Sequence, residues 1–97
     1  MTKKLNRNQT EKIVPLEIDS SKVLTTFDLG CAAALATAGF ELLSLDRENP
    51  RKVKFIFRRS AGIENTAEDF WSDRLEQKSR SFWDNTKNLK NRLYSND

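Results

Sequence analysis

The tract Arg51–Arg59, Arg-Lys-Val-Lys-Phe-Ile-Phe-Arg-Arg, limits the fold of this 97-residue chain more than any other stretch. Val53, Phe55 and Phe57 recur at period two, with Lys52, Lys54 and Arg58 on the alternate positions. Successive side chains of a strand point to opposite faces, so the pattern gives one aromatic face and one cationic face. Such a strand needs partners for its ladder and helices over its apolar side. Ile56 interrupts the cationic face and points to partial cover there.

The neighbouring segments supply those partners. Phe40–Leu45 reads as a strand, and Asp46–Pro50 as a polar connection, which makes an antiparallel hairpin with a longer loop. Val23–Thr25 reads as a further short strand. Ile13–Ile18 is apolar, but Pro15 bars it from a central strand and leaves it as an N-terminal edge strand or packed loop. Thr26 is a candidate N-cap for a helix over Leu29–Ala38, with Asp28 at the positive end of its dipole and Gly39 at its C-terminus. Phe27, Cys31, Leu35 and Ala38 recur at helical spacing and are expected to face inward, while Ala32, Ala33 and Ala36 keep the helix slim.

Ser60–Gly62 reads as a turn before a helix over Ile63–Trp71. Ser72–Lys78 reads in two ways: within one unbroken helix that puts Trp71, Leu75, Phe82, Leu89 and Leu93 on one stripe, or as a loop anchored by Leu75 before a new helix capped at Ser79. The break is preferred, because so long a helix is unusual in so small a domain. The expected fold is α+β: a small antiparallel sheet packed against one N-terminal helix and one or two C-terminal helices. Residues 1–12 are a flexible basic arm and residues 13–97 a single domain. The expected core is Phe27, Leu35, Phe40, Leu42, Val53, Phe55, Phe57, Phe70, Trp71, Phe82, Leu89 and Leu93.

Composition excludes most chemistry. The chain has no histidine, which removes the commonest general base and metal ligand. Its single cysteine, Cys31, lies among alanines and reads as a small buried hydrophobe. Gly30, Gly39 and Gly62 are too far apart for a phosphate-binding loop. No metal and no cofactor is expected, and the chain does not read as an enzyme. No run is long enough to span a membrane, and the polar start is unlike a secretory signal, so a cytoplasmic protein is expected.

Charge is segregated, although the net value is only +3. Arg51, Lys52, Lys54, Arg58 and Arg59 form one basic run. Glu64, Glu68, Asp69, Asp73 and Glu76 make an acidic middle. The C-terminal helix carries two stripes: Phe82, Leu89 and Leu93 on one side, and Trp83, Lys87, Lys90 and Tyr94 on another, with Arg92 beside them. Cations neutralise phosphates and exposed rings stack on bases. These ten basic and aromatic residues are therefore the candidate nucleic-acid-binding surface, for DNA or RNA. About five phosphate contacts would give a log–log salt slope of roughly −4 to −5. The alternative is a protein-interaction or oligomerisation module, with Ile56 and Trp83 as its anchors.

The ordered succession Thr25-Thr26-x-Asp28-Leu29-x-x-Ala32-Ala33-x-Leu35-x-x-x-Gly39-Phe40, Val53-x-Phe55-x-Phe57, Phe70-Trp71, Phe82 and Leu89-Lys90-x-Arg92-Leu93 resembles a family of short uncharacterised domains found in phages, mobile elements and bacteria. The resemblance covers Val23 to Tyr94. It implies a helix, a hairpin and C-terminal helices in an α+β domain, and an accessory role in a phage or mobile-element process. It implies no catalytic residue.

Overall fold

The computed structural model of the chain describes residues 19–95. The basic arm at 1–12 and the Ile13–Ile18 tract lie outside the described residues. A short 3-10 turn, Ser20–Lys22, is capped by the Asp19 carboxylate and leads into β1 (Val23–Thr26). Then follow α1 (Leu29–Thr37), β2 (Leu42–Asp46), β3 (Lys54–Arg58), α2 (Ile63–Trp71) and α3 (Ser79–Leu93).

β3 is the central strand, antiparallel to β1 on one side and β2 on the other. β1 and β2 therefore run parallel to each other, with α1 connecting them and β3 inserted between: a split βαβ arrangement. Leu24 and Leu42 both lie opposite Phe57, and Thr26 and Leu45 both lie opposite Phe55. An irregularity between Leu42 and Ser44 absorbs the extra residue, Leu43. Period two thus places Leu24, Leu42, Leu45, Phe55 and Phe57 on one face, where they join the main core.

The helices cover that face. Cys31 to Leu35 are all buried, at 1% exposure or less. α1 is wrapped by the sheet, α2 and α3 rather than lying on the sheet with an open back. Its alanines make this feasible, because small side chains let three neighbours approach at once. Phe55, Phe57, Leu35, Ile63 and Leu89 complete the core. Each buried large apolar side chain contributes about 1.5–3 kcal/mol relative to an exposed one. Gly30 is also needed small, since a Cβ there would come within 2.9 Å of the Phe70 ring.

Local chemistry sets the element ends. Asp28, not Thr26, caps α1: its carboxylate accepts from the Cys31 amide at 2.7 Å. Thr26 caps the cap, accepting from the Asp28 amide at 3.1 Å. Gly39 terminates α1 at φ 99°, in the left-handed region that glycine tolerates. The expected break after Trp71 is present, with Asp73 at φ 63°. Gln77 then ties the connection to α1 by donating to the Ala34 carbonyl at 2.9 Å. α3 starts one residue earlier than expected. Lys78 is its N-cap, without a side-chain bond, and Ser79 is already helical.

Two expected core positions, Trp71 and Phe27, and one position expected to face inward, Ala38, are corrected. Ala38 is exposed, because α1 ends before it. Trp71 is 61% exposed, with Phe70 alone of that pair turned to the core. Phe27 is 48% exposed. It precedes the N-cap, so helical spacing does not govern its direction. Ile56, by contrast, is buried at 8% exposure on the face of the sheet away from the helices.

Candidate functional site

Phe27 is the centre of the candidate site. The two hydrogen bonds of Thr26 and Asp28 change strand to helix within two residues and leave Phe27 at the corner. In sequence it continues the alternation of Val23 and Thr25, whose positions belong to the face without helices. Two ammonium groups stand over its ring: Lys52 Nζ at 4.7 Å and Lys54 Nζ at 5.6 Å from the centroid. Both are within cation–π range.

The β2–β3 loop brings those cations there. Asp46 accepts from the Glu48 amide at 2.9 Å and Asn49 from the Arg51 amide at 3.0 Å, side-chain turns that fix the loop. Arg47 then binds the loop to α3, donating to the Leu93 carbonyl at 3.1 Å and to the Arg92 carbonyl. A cation on the last carbonyls also offsets the negative end of the helix dipole. This clamp sets Tyr94, 78% exposed, beside the hairpin loop.

Two shallow recesses flank Phe27. One, of about 320 Å³, has Leu29, Pro50, Val53, Phe55 and Leu93 among its walls and Phe27, Tyr94, Arg51 and Lys52 around it. No carboxylate lines it among the described residues. The other, of about 190 Å³, is lined by Phe27, Lys52, Lys54, Asn49 and two acids, Asp46 and Glu48. The first is cationic, aromatic and apolar. In the second, two lysines face two carboxylates.

The candidate residues suggested by sequence therefore divide. Arg51, Lys52, Lys54 and Tyr94 come together around Phe27. Trp83, Lys87 and Lys90 form an exposed row on α3 that runs toward Tyr94 at helical spacing. Lys87 lies 3.9 Å from Asp84 and 6.0 Å from the Trp83 ring centroid. Arg92 is exposed but lies on the far side of α3 from that row, roughly 180° around the helix from Trp83 at about 3.6 residues per turn, and its carbonyl is held by Arg47. Arg58 and Arg59 sit at the opposite end of β3, roughly 13 Å away along the strand. Arg58 is paired with Glu41 at 2.8 Å. Arg59 is paired with Glu64 and donates to the Val23 carbonyl at 3.0 Å.

Sequence reasoning passed over two residues of this site. Phe27 was assigned to the core by helical spacing, although its position before an Asx cap carried the contrary signal. Arg47 read only as part of a polar connection, and nothing local marks it as the clamp on a helix end 45 residues away. Elsewhere, burial pushes the Cys31 thiol above its ordinary pKa, which disfavours the reactive thiolate. Among the described residues no group of three His, Cys, Asp or Glu side chains is placed to hold a metal ion. Nor is any described helix long and apolar enough to cross a membrane.

No curated protein and no solved structure matches this chain. A family model does: it spans residues 21–95, from the turn before β1 to the end of α3, and thus takes in every strand and helix that builds the Phe27 site. With that much of its length matched, the chain belongs to the family described as Domain of unknown function (DUF5659).

Proposed function

We propose that this protein is a non-catalytic nucleic-acid-binding accessory protein, acting in the cytoplasm in the phage or mobile-element setting that the family resemblance implies. One observation carries the reading: Arg51 and Lys52 of the hairpin loop and Tyr94 of α3 meet around the exposed ring of Phe27. Cations for phosphate and flat rings for bases are what such a ligand requires. The proposed footprint is Phe27, Arg51, Lys52 and Lys54, extended along α3 by Tyr94, Lys90, Lys87 and Trp83; Arg92 leaves it because it lies on the far side of the helix from that row. Arg58 and Arg59 leave it, because carboxylates already neutralise them. Titrating the full chain against labelled oligonucleotides at low salt tests the reading. Binding at micromolar protein that weakens with salt supports it, and no binding ends it.

A second reading, a protein-interaction module, has Trp71 and Trp83 in its favour, exposed at 61% and 54%. Exposed aromatic residues are enriched at interfaces. Ile56 drops out as an anchor because it is buried. Light scattering at high concentration distinguishes self-association from a monomer.

A further inference from the structure

We infer that the recess between Phe27 and Tyr94 takes one unpaired nucleotide, its base against the two rings and its phosphate at Arg51 and Lys52. This rests on the nucleic-acid reading above and names the kind of strand bound. The recess is lined by apolar side chains, Leu29, Val53 and Leu93 among them, together with the cations Arg51 and Lys52. A base within a duplex is stacked on both faces and cannot enter such a hollow. An unpaired base offers its faces to aromatic side chains. A duplex would meet only the cations.

Lys52 and Lys54 cover the Phe27 ring in the free protein. Ammonium-on-ring contacts at exposed sites are weak, so a phosphate draws the lysines aside and frees the ring face for a base. Across Phe27, Asp46 and Glu48 line the second recess and repel further phosphates. The strand therefore does not continue along the hairpin in that direction, and the local contact is short. The three cations at the recess, Arg51, Lys52 and Lys54, account for about −2 of the salt slope on a single strand, and the α3 cations add to it where the strand reaches them.

The test uses the full chain, fluorescein-labelled single strands of about a dozen nucleotides, and the matching duplex. The expected result is single-strand binding at least tenfold tighter than duplex binding. Phe27→Ala and Tyr94→Ala should each weaken single-strand binding about tenfold, in keeping with loss of one stacked base, and leave duplex binding unchanged. Lys52→Gln should weaken both and make the slope shallower by about 0.7. Both ring positions are exposed, and thermal melts of the variants verify that they fold. Equal affinity for strand and duplex, with both ring variants silent, overturns this inference and leaves the nucleic-acid reading standing. Failure to bind either overturns both.

Discussion

Arg58 and Arg59 at one end of β3, and Lys52 and Lys54 at the other, belong to the same basic run, yet their surroundings differ in kind. Arg58 meets Glu41 and Arg59 meets Glu64, each on a neighbouring element. Lys52 and Lys54 meet an aromatic ring, and among the described residues neither forms an ion pair. The first end closes the sheet onto its flanking segments. The second leaves charge and apolar surface available together. A run of cations thus becomes a candidate binding surface only where no carboxylate pairs with it directly, and sequence proximity does not decide that.

The largest expected effect comes from the element both ends share. Phe55 is 1% exposed and also walls the recess beside Phe27. Phe55→Ala should cost about 3–5 kcal/mol, a large part of the stability of a domain this small. Urea unfolding measures it, and an unchanged midpoint would refute the strand orientation described above.

Next comes the corner that presents Phe27. Asp28→Ala removes the carboxylate that caps α1 and should cost about 1 kcal/mol. If the corner orients the ring, the same variant also weakens oligonucleotide binding. Binding unchanged at reduced stability would separate the cap from the site.

The direct contrast between the two ends is a pair of charge removals. Lys52→Gln should reduce oligonucleotide affinity several-fold at low salt, while Arg58→Gln should leave it nearly unchanged, because Arg58 is already neutralised. Equal losses from both would dissolve the distinction between the ends. At the closed end, a double-mutant cycle on Glu41 and Arg58 should return a coupling of only about 0.2–1 kcal/mol. Both side chains are some 60% exposed, so solvent screens the pair.

The smallest effect concerns Cys31. Its folded pKa is raised, chiefly by burial. The protonated thiol is then favoured in the folded state, and its contribution is fully present below the unfolded thiol pKa of about 8.5. It declines as pH rises from there toward the folded value. Melting temperature should therefore fall at alkaline pH, and Cys31→Ala should flatten that decline.

Much of the fold was legible because its signals are local. Alternation in Val53–Phe57 marked β3, and helical spacing and Gly39 marked α1, whereas Ser72–Lys78 was compatible with either an unbroken helix or the break that the structure has between α2 and α3. Where the reading failed, two local rules competed. Phe27 satisfied helical spacing while standing outside the helix, and Asp28 displaced Thr26 as the cap because its carboxylate reaches the Cys31 amide. The candidate site was half legible. Arg51, Lys52, Lys54 and Tyr94 were named by residue type, but Phe27 and Arg47 were not, since their partners lie far along the chain.

By itself, then, the sequence determined the strands, the helices and which face of β3 is aromatic, because backbone periodicity and capping depend on residues a few positions apart. Only the tertiary structure decided that β3 lies between β1 and β2, that Arg47 brings Tyr94 to the hairpin loop, and that Arg58 is paired while Lys52 stands over a ring. Those outcomes depend on contacts across 17 to 46 residues of chain, which packing sets and no local pattern encodes.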